Sequence, residues 1–229
     1  MNSILFAGFM AAAVVSGPSL TAAEEDGYFD LDRTFVEGQS RLDVFSLDTP
    51  PDPVGNCARA EALVAHDRTR IEALSQYLVA LQARGRTIDS LLPFYLVASA
   101  GADDDAARRS LDCAYDGKRS DINALEYHVH SLIDAVPPEA AADPSHDLAG
   151  LRAVMTRDVL LDAAVSATEM LRDAGATSPS AKALITRLPA LKAEQAAAHR
   201  MRIRRLGPYE TAPANDELMR RQILRAPTP

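Results

Sequence analysis

The chain has 229 residues, a formal net charge of −8 and an apolar fraction of 47%, yet only 5% is aromatic and Trp is absent. That length suits one domain with its own core, and abundant Ala with so few aromatic residues points away from a β-sandwich toward Ala- and Leu-faced helices. A pI near 5.1 argues against nucleic acid as a partner.

Residues 1–23 hold no Asp, Glu, Lys or Arg, and Ile4 to Val15 is an almost unbroken apolar run broken by Gly17-Pro18. Thr21-Ala22-Ala23 then offers small residues where a signal peptidase reads, which predicts a leader cleaved after Ala23 and a periplasmic or secreted protein. The charge-free stretch also reaches the ~20 residues a membrane anchor needs. It contains no Cys, so a lipoprotein is excluded. Cys57 and Cys113 both follow it, and an even pair in an exported chain predicts a disulfide. Such a bridge closes a loop of roughly 57 residues, worth at most ~4 kcal/mol on loop-entropy grounds.

Residues 24–56 carry nine acidic residues against Arg33 and Arg41, and so nearly all the net charge. With Pro50, Pro51, Pro53 and Gly55-Asn56, this segment reads as an acidic, largely irregular lead-in. Tyr28, Phe29, Phe35 and Phe45 predict that part of it packs along the body.

From Cys57 onward the pattern is helical. Ala60, Val64, Asp67, Ile71, Leu74, Leu78 and Leu81 make one face over residues 57–84, apolar except at Asp67 and ended by Gly85. Thr87 is placed to cap a short second helix through Ile88, Leu91, Leu92, Tyr95 and Leu96, bent by Pro93. Gly101 and Asp103 to Asp105 open a third helix carrying Cys113, the acidic residues favouring its N-terminal dipole. A fourth follows Asp116-Gly117, with Ile122, Leu125, Val129, Leu132 and Ile133 on one face and Pro137-Pro138 as its stop. A fifth runs from about Ser145 to Arg172 and ends at Gly175. The sixth opens at Ser178-Pro179, is predicted to kink at Pro189 and closes at Gly207-Pro208. A tail follows with one short amphipathic stretch at Leu218, Ile223 and Leu224. The prediction is an all-α antiparallel bundle of five or six helices over 57–206, with a tail from 207 to 229.

Chemistry-bearing constellations are few. Glu126 and His130 share a helical face and can supply two corners of a metal site, whereas His128 points about 200° from His130 on a helix. Solvated polar residues opposite a core stripe have the same pattern. The adjacent pairs His66-Asp67 and His146-Asp147 face different directions and read as surface or capping residues. Nucleophile elbows, phosphate-binding glycine loops, Cys-x-x-Cys and paired Glu-x-x-His repeats are all missing, which argues against an enzyme and implies no cofactor. Arg200, Arg202, Arg204 and Arg205 cluster at the end of the sixth helix. They suit the helix dipole, and also an anionic membrane surface or polymer, or the protein's own acidic segment. The sequence therefore predicts a non-catalytic envelope protein that binds another protein or an anionic surface polymer. The alternative is a bundle holding a small ligand or metal between helices at Glu126, His128 and His130.

Overall fold

Leu and Ala recurring at three- and four-residue steps give each segment after Cys57 one apolar stripe, and burying these stripes together builds the bundle. In the computed structural model, which describes residues 17–44, 53–114, 121–139 and 147–210, the elements are six helices. They are α1 (Ala22–Val44), α2 (Pro53–Ala83), α3 (Leu92–Ala114), α4 (Asp121–Ala135), α5 (Leu148–Asp173) and α6 (Pro179–Glu210). The most extensive seam joins α5 to α6; α3 and α5 lie centrally, each packing on several neighbours, while α1 lies against α2.

Two apolar clusters fill the interior. One gathers Tyr28, the α2 stripe from Ile71 to Leu81, the Ile88–Leu96 turn, the start of α5 and Leu206. The other joins Leu125, Val129 and Leu132 of α4 to Leu161 and Leu171 of α5 and to Leu184 and Leu191 of α6. Glycine sets two of the corners. Gly85 and Gly175 have φ of 75° and 70°, a left-handed conformation that costs glycine little. In each turn the glycine N–H and the following N–H donate to the last carbonyls of the helix: Gly85 to Gln82 and Arg86 to Leu81, Gly175 to Arg172 and Ala176 to Leu171. Helix starts are equally local. The Asp147 carboxylate accepts from Gly150 N–H at 2.6 Å, and Ser178 Oγ accepts from Ala181 N–H at 2.9 Å with Pro179 as first helical residue.

Three expectations change. The segment expected to be largely irregular contains α1, whose 23 residues include Arg33 to Val44. Thr21 and Glu24 form a capping box at its start: Thr21 N–H and Oγ1–H donate to Glu24 Oε2 at 2.8 and 2.9 Å, and Glu24 N–H donates to Thr21 Oγ1 at 3.3 Å. The backbone bond from Thr21 holds the Glu24 carboxyl below its usual range. Second, the expected short helix and third helix are one continuous helix, α3. Pro93 sits in its first turn, where no N–H is needed, and Gly101 lies within it, so Asp103 to Asp105 do not face a helix N-terminus. Third, α6 runs through Gly207 and Pro208 to Glu210. The residues beyond it, with Leu218, Ile223 and Leu224, lie outside the described residues, as do His146, Asp116 and Gly117.

Candidate functional site

Cys57, in the second turn of α2, and Cys113, at the end of α3, form a disulfide with Cα atoms 4.5 Å apart. It fixes these two helices beside α4 and so defines one end of an open groove of about 400 Å³. Glu61, Ala65 and Arg68 follow one another at four- and three-residue steps, a stripe beside the core-facing one, and form one wall with Ala60 and Val64. The α3 wall is Ala106, Arg109, Ser110 and Cys113, and α4 adds Tyr127 and Ser131. Alanine at 60, 65 and 106 leaves the space that larger residues would fill. Tyr127 stays 52% exposed at the rim.

The groove's chemistry is that of two guanidinium groups, two hydroxyls and an aromatic ring around an apolar floor. Guanidinium forks match carboxylate and phosphate oxygens, and the ring offers apolar area with a polar tip. Glu61 lies toward the disulfide end, its Oε1 3.9 Å from Cys57 Sγ. Behind the groove, Asp67 is buried at 4% exposure with Oδ1 lacking a hydrogen-bond partner. Burial and then Asp105 raise its carboxyl above the usual range, against the opposing pull of Arg70, His66 and Arg109. Asp67 is thus an interior group and not a surface one, while Asp147 is the cap that its pairing suggested.

The three predicted metal-site residues are not brought together. His128 is buried, with Nδ1 3.3 Å from Ser110 Oγ, and burial lowers its imidazole pKa. Glu126 and His130 face the start of α6 instead. Ser178 Oγ donates to Glu126 Oε2 at 2.7 Å, and His130 Nε2 hydrogen-bonds with Ser180 Oγ at 2.9 Å. These two side chains therefore join α4 to α6. Among the described residues, the one group of three potential metal ligands is Cys57, Glu61 and Cys113, and its sulfurs are consumed by the disulfide.

The basic cluster divides as well. Arg202 Nη1 donates to Asp158 Oδ2 at 3.1 Å, and His199 Nδ1 lies 3.2 Å from the same oxygen, so a buried carboxylate of α5 anchors this end of α6. Arg200 and Arg204 are exposed, and Arg205 is half-buried. Two acidic residues of α1 reach cations other than this cluster: Asp32 pairs with Arg70 at 2.7 Å and Glu24 with Arg86 at 3.0 Å. The described aromatic residues of the segment pack on the body, with Tyr28 buried, Phe29 edge-on to Phe94 and Phe35 against His66, and Phe45 lies outside the described residues.

No helix among the described residues is long and apolar enough to cross a membrane. Comparison with protein-family models, with curated proteins and with solved structures found no match. Sequence reasoning missed Arg68, Arg109 and Tyr127. A usable signal was the Glu61, Ala65, Arg68 stripe just beyond Cys57, which a Cys57–Cys113 bridge had to set against α3.

Proposed function

We propose that this is an exported, non-catalytic protein that binds an anionic group of another envelope protein or of a surface polymer, and does so in the groove between α2, α3 and α4. The observation that carries this reading is the groove itself, about 400 Å³ with Arg68 and Arg109 in its walls and Tyr127 at its rim. The charge-free leader and the disulfide support the extracytoplasmic address. The earlier candidate contacts support it less: Arg202 serves Asp158, and Tyr28 and Phe29 of the acidic segment serve the core.

The test is equilibrium binding of fluorescent poly-glutamate, with poly-lysine as control, to the wild type and to Arg68→Ala and Tyr127→Ala. Poly-lysine, attracted by the net charge of −8, is expected to bind all three proteins alike. Poly-glutamate binding is expected to weaken with salt and to fall about tenfold or more in each variant, as loss of an anchoring Arg or Tyr gives. Equal poly-glutamate binding by all three proteins rejects the groove. Cross-linking in native envelopes through a photoreactive residue at Ala65 then separates a protein neighbour from a polymer.

A second reading rests on the same volume, which lies within the ~300–1,000 Å³ range of small-molecule sites. It expects a compact organic anion to bind with the same dependence on Arg68 while the extended chain does not.

A further inference from the structure

The contacts made by Gly17 to Thr21 bear on where the leader ends. Cleavage after Ala23 would leave Glu24 as the first residue, within the first turn of α1. That cut removes Thr21, the cap whose hydroxyl and backbone satisfy the start of the helix. It also places a new ammonium at the positive end of the helix dipole, the unfavourable sign. Residues upstream of Ala23 do more than cap. Leu20 packs against the first apolar cluster. Thr87 N–H donates to the Pro18 carbonyl at 3.2 Å, and Arg86, which pairs with Glu24, also reaches the Ser19 carbonyl at 3.5 Å. Gly17 lies so close to the α2–α3 turn that a Cβ on it would stand 2.2 Å from the Gly85 carbonyl oxygen. A segment with a cap, a core contact and a steric demand for glycine is part of the folded domain.

We propose that the leader ends at Ser16 and that the mature chain begins at Gly17. This rests on the export reading above. The sequence at that bond suits a signal peptidase: Val14 and Ser16 occupy the two positions it reads, directly after the apolar run, and Pro18 lies one residue beyond the new N-terminus. The enzyme adds water across the Ser16–Gly17 amide, releasing residues 1–16 with a carboxylate at Ser16 and leaving the amino group on Gly17. Folding then conserves Pro18, Ser19, Leu20 and Thr21 in the contacts they make.

The experiment is N-terminal sequencing and intact mass of the protein recovered from the envelope or medium of its own cells, for the wild type and for Ser16→Tyr and Ala23→Tyr. A start at Gly17, precursor accumulation with Ser16→Tyr and ordinary processing of Ala23→Tyr support the assignment. A start at Glu24, or at any other internal residue, overturns it and leaves export standing. A chain that keeps Met1 and stays in the cytoplasm overturns export as well. In parallel, purified chains beginning at Gly17 and at Glu24 are compared by thermal melting and amide exchange. The longer chain is expected to melt higher and to protect the Thr87 amide; equal melting and equal exchange remove the structural basis of the proposal.

Discussion

Helices α1 and α6 both lie along the bundle, but different chemistry holds them. Along α6, Leu184, Leu188, Leu191 and Ala198 bury apolar area against α5 and α4 at every turn or two, with Asp158, His199 and Arg202 as a local polar clasp. Along α1, among the described side chains, Tyr28 is fully buried with Phe29 and Leu31 packed against the same cluster, and the rest of the attachment is position-specific. Tyr77 Oη donates to the Glu24 carbonyl at 2.8 Å, Arg70 meets Asp32, Ser90 donates to Glu25 at 3.0 Å, and His66 Nε2 lies 2.9 Å from the Phe35 carbonyl. Gly27 and Gly38, eleven residues or about three turns apart, lie on the same face and admit the Tyr77 hydroxyl and the His66 ring. Area burial tolerates shifts and substitutions of similar volume; a keyed surface of hydrogen bonds and notches does not.

The largest expected effect tests the apolar side of this contrast. Leu161 is 1% exposed at the meeting of α4, α5 and α6, and Leu161→Ala should cost about 2–5 kcal/mol from lost transfer energy and the cavity left behind. Urea denaturation followed by circular dichroism should show one cooperative transition at a lower midpoint. A loss confined to one helix would mean that the α5–α6 seam is not what holds the bundle together.

Gly27→Ala probes the keyed side. Its Cβ would lie 2.5 Å from the Tyr77 hydroxyl, which is itself held by the Glu24 carbonyl, so α1 or Tyr77 must shift. Overpacking of this kind costs about 1–3 kcal/mol. Amide exchange should rise along α1 more than along α6. The combined variant Gly27→Ala with Tyr77→Phe, which removes the clashing atom, should recover part of the loss.

Titration probes the helices around which α1 and α6 pack, with His128 on α4, Asp67 on α2 and Asp103 on α3. Burial lowers the pKa of His128 below 6.5, so below that value the unfolded chain takes up a proton before the folded one does. Its neutral form therefore supports the fold fully above the unfolded pKa, and that support is lost as the pH falls from 6.5 toward the folded value. Asp67 and Asp103 act oppositely. Burial raises both carboxyls, so their contribution is full below the unfolded value of 3.8 and declines as the pH rises through the folded one. Urea midpoints at pH 7.5 and 5.5 should fall with acid in the wild type and fall less in His128→Gln. An unchanged slope in that variant would assign the acid sensitivity to other groups.

How much of this was legible follows from the chemistry of each contact. The stripes of α2, α4, α5 and α6, the Gly85 and Gly175 stops and the Ser178-Pro179 start are local rules, and a single chain displays them. The helical state of α1 was hidden because the acidic run and the prolines at 50, 51 and 53 outweighed its short apolar steps at Tyr28, Leu31 and Phe35, while its Gly notches and ion pairs leave no signal in a single chain. Proline and glycine misled where position within the helix decides their effect: Pro93 is harmless in a first turn, and Gly101 and Gly207 are carried by their neighbours. The groove was less legible still. It needs the Cys57–Cys113 pairing to be placed in space before Arg68, Arg109 and Tyr127 meet.

The smallest expected effect isolates what a notch is. Gly101 and Gly27 are both interior helix positions, and by propensity alone each would gain from alanine, which loses less backbone freedom on folding. A Cβ at Gly101 meets nothing within 4 Å, whereas one at Gly27 meets Tyr77. Gly101→Ala should therefore stabilise the protein by roughly 0.5–1 kcal/mol, opposite in sign to Gly27→Ala and readable as a higher urea midpoint with an unchanged slope. If both substitutions stabilise, α1 yields easily around Tyr77 and its attachment is not keyed. If both destabilise, Gly101 has a role in α3 beyond open space, and helix propensity does not separate the two sites. Opposite signs would leave the Tyr77 hydroxyl as the physical difference between the two glycines.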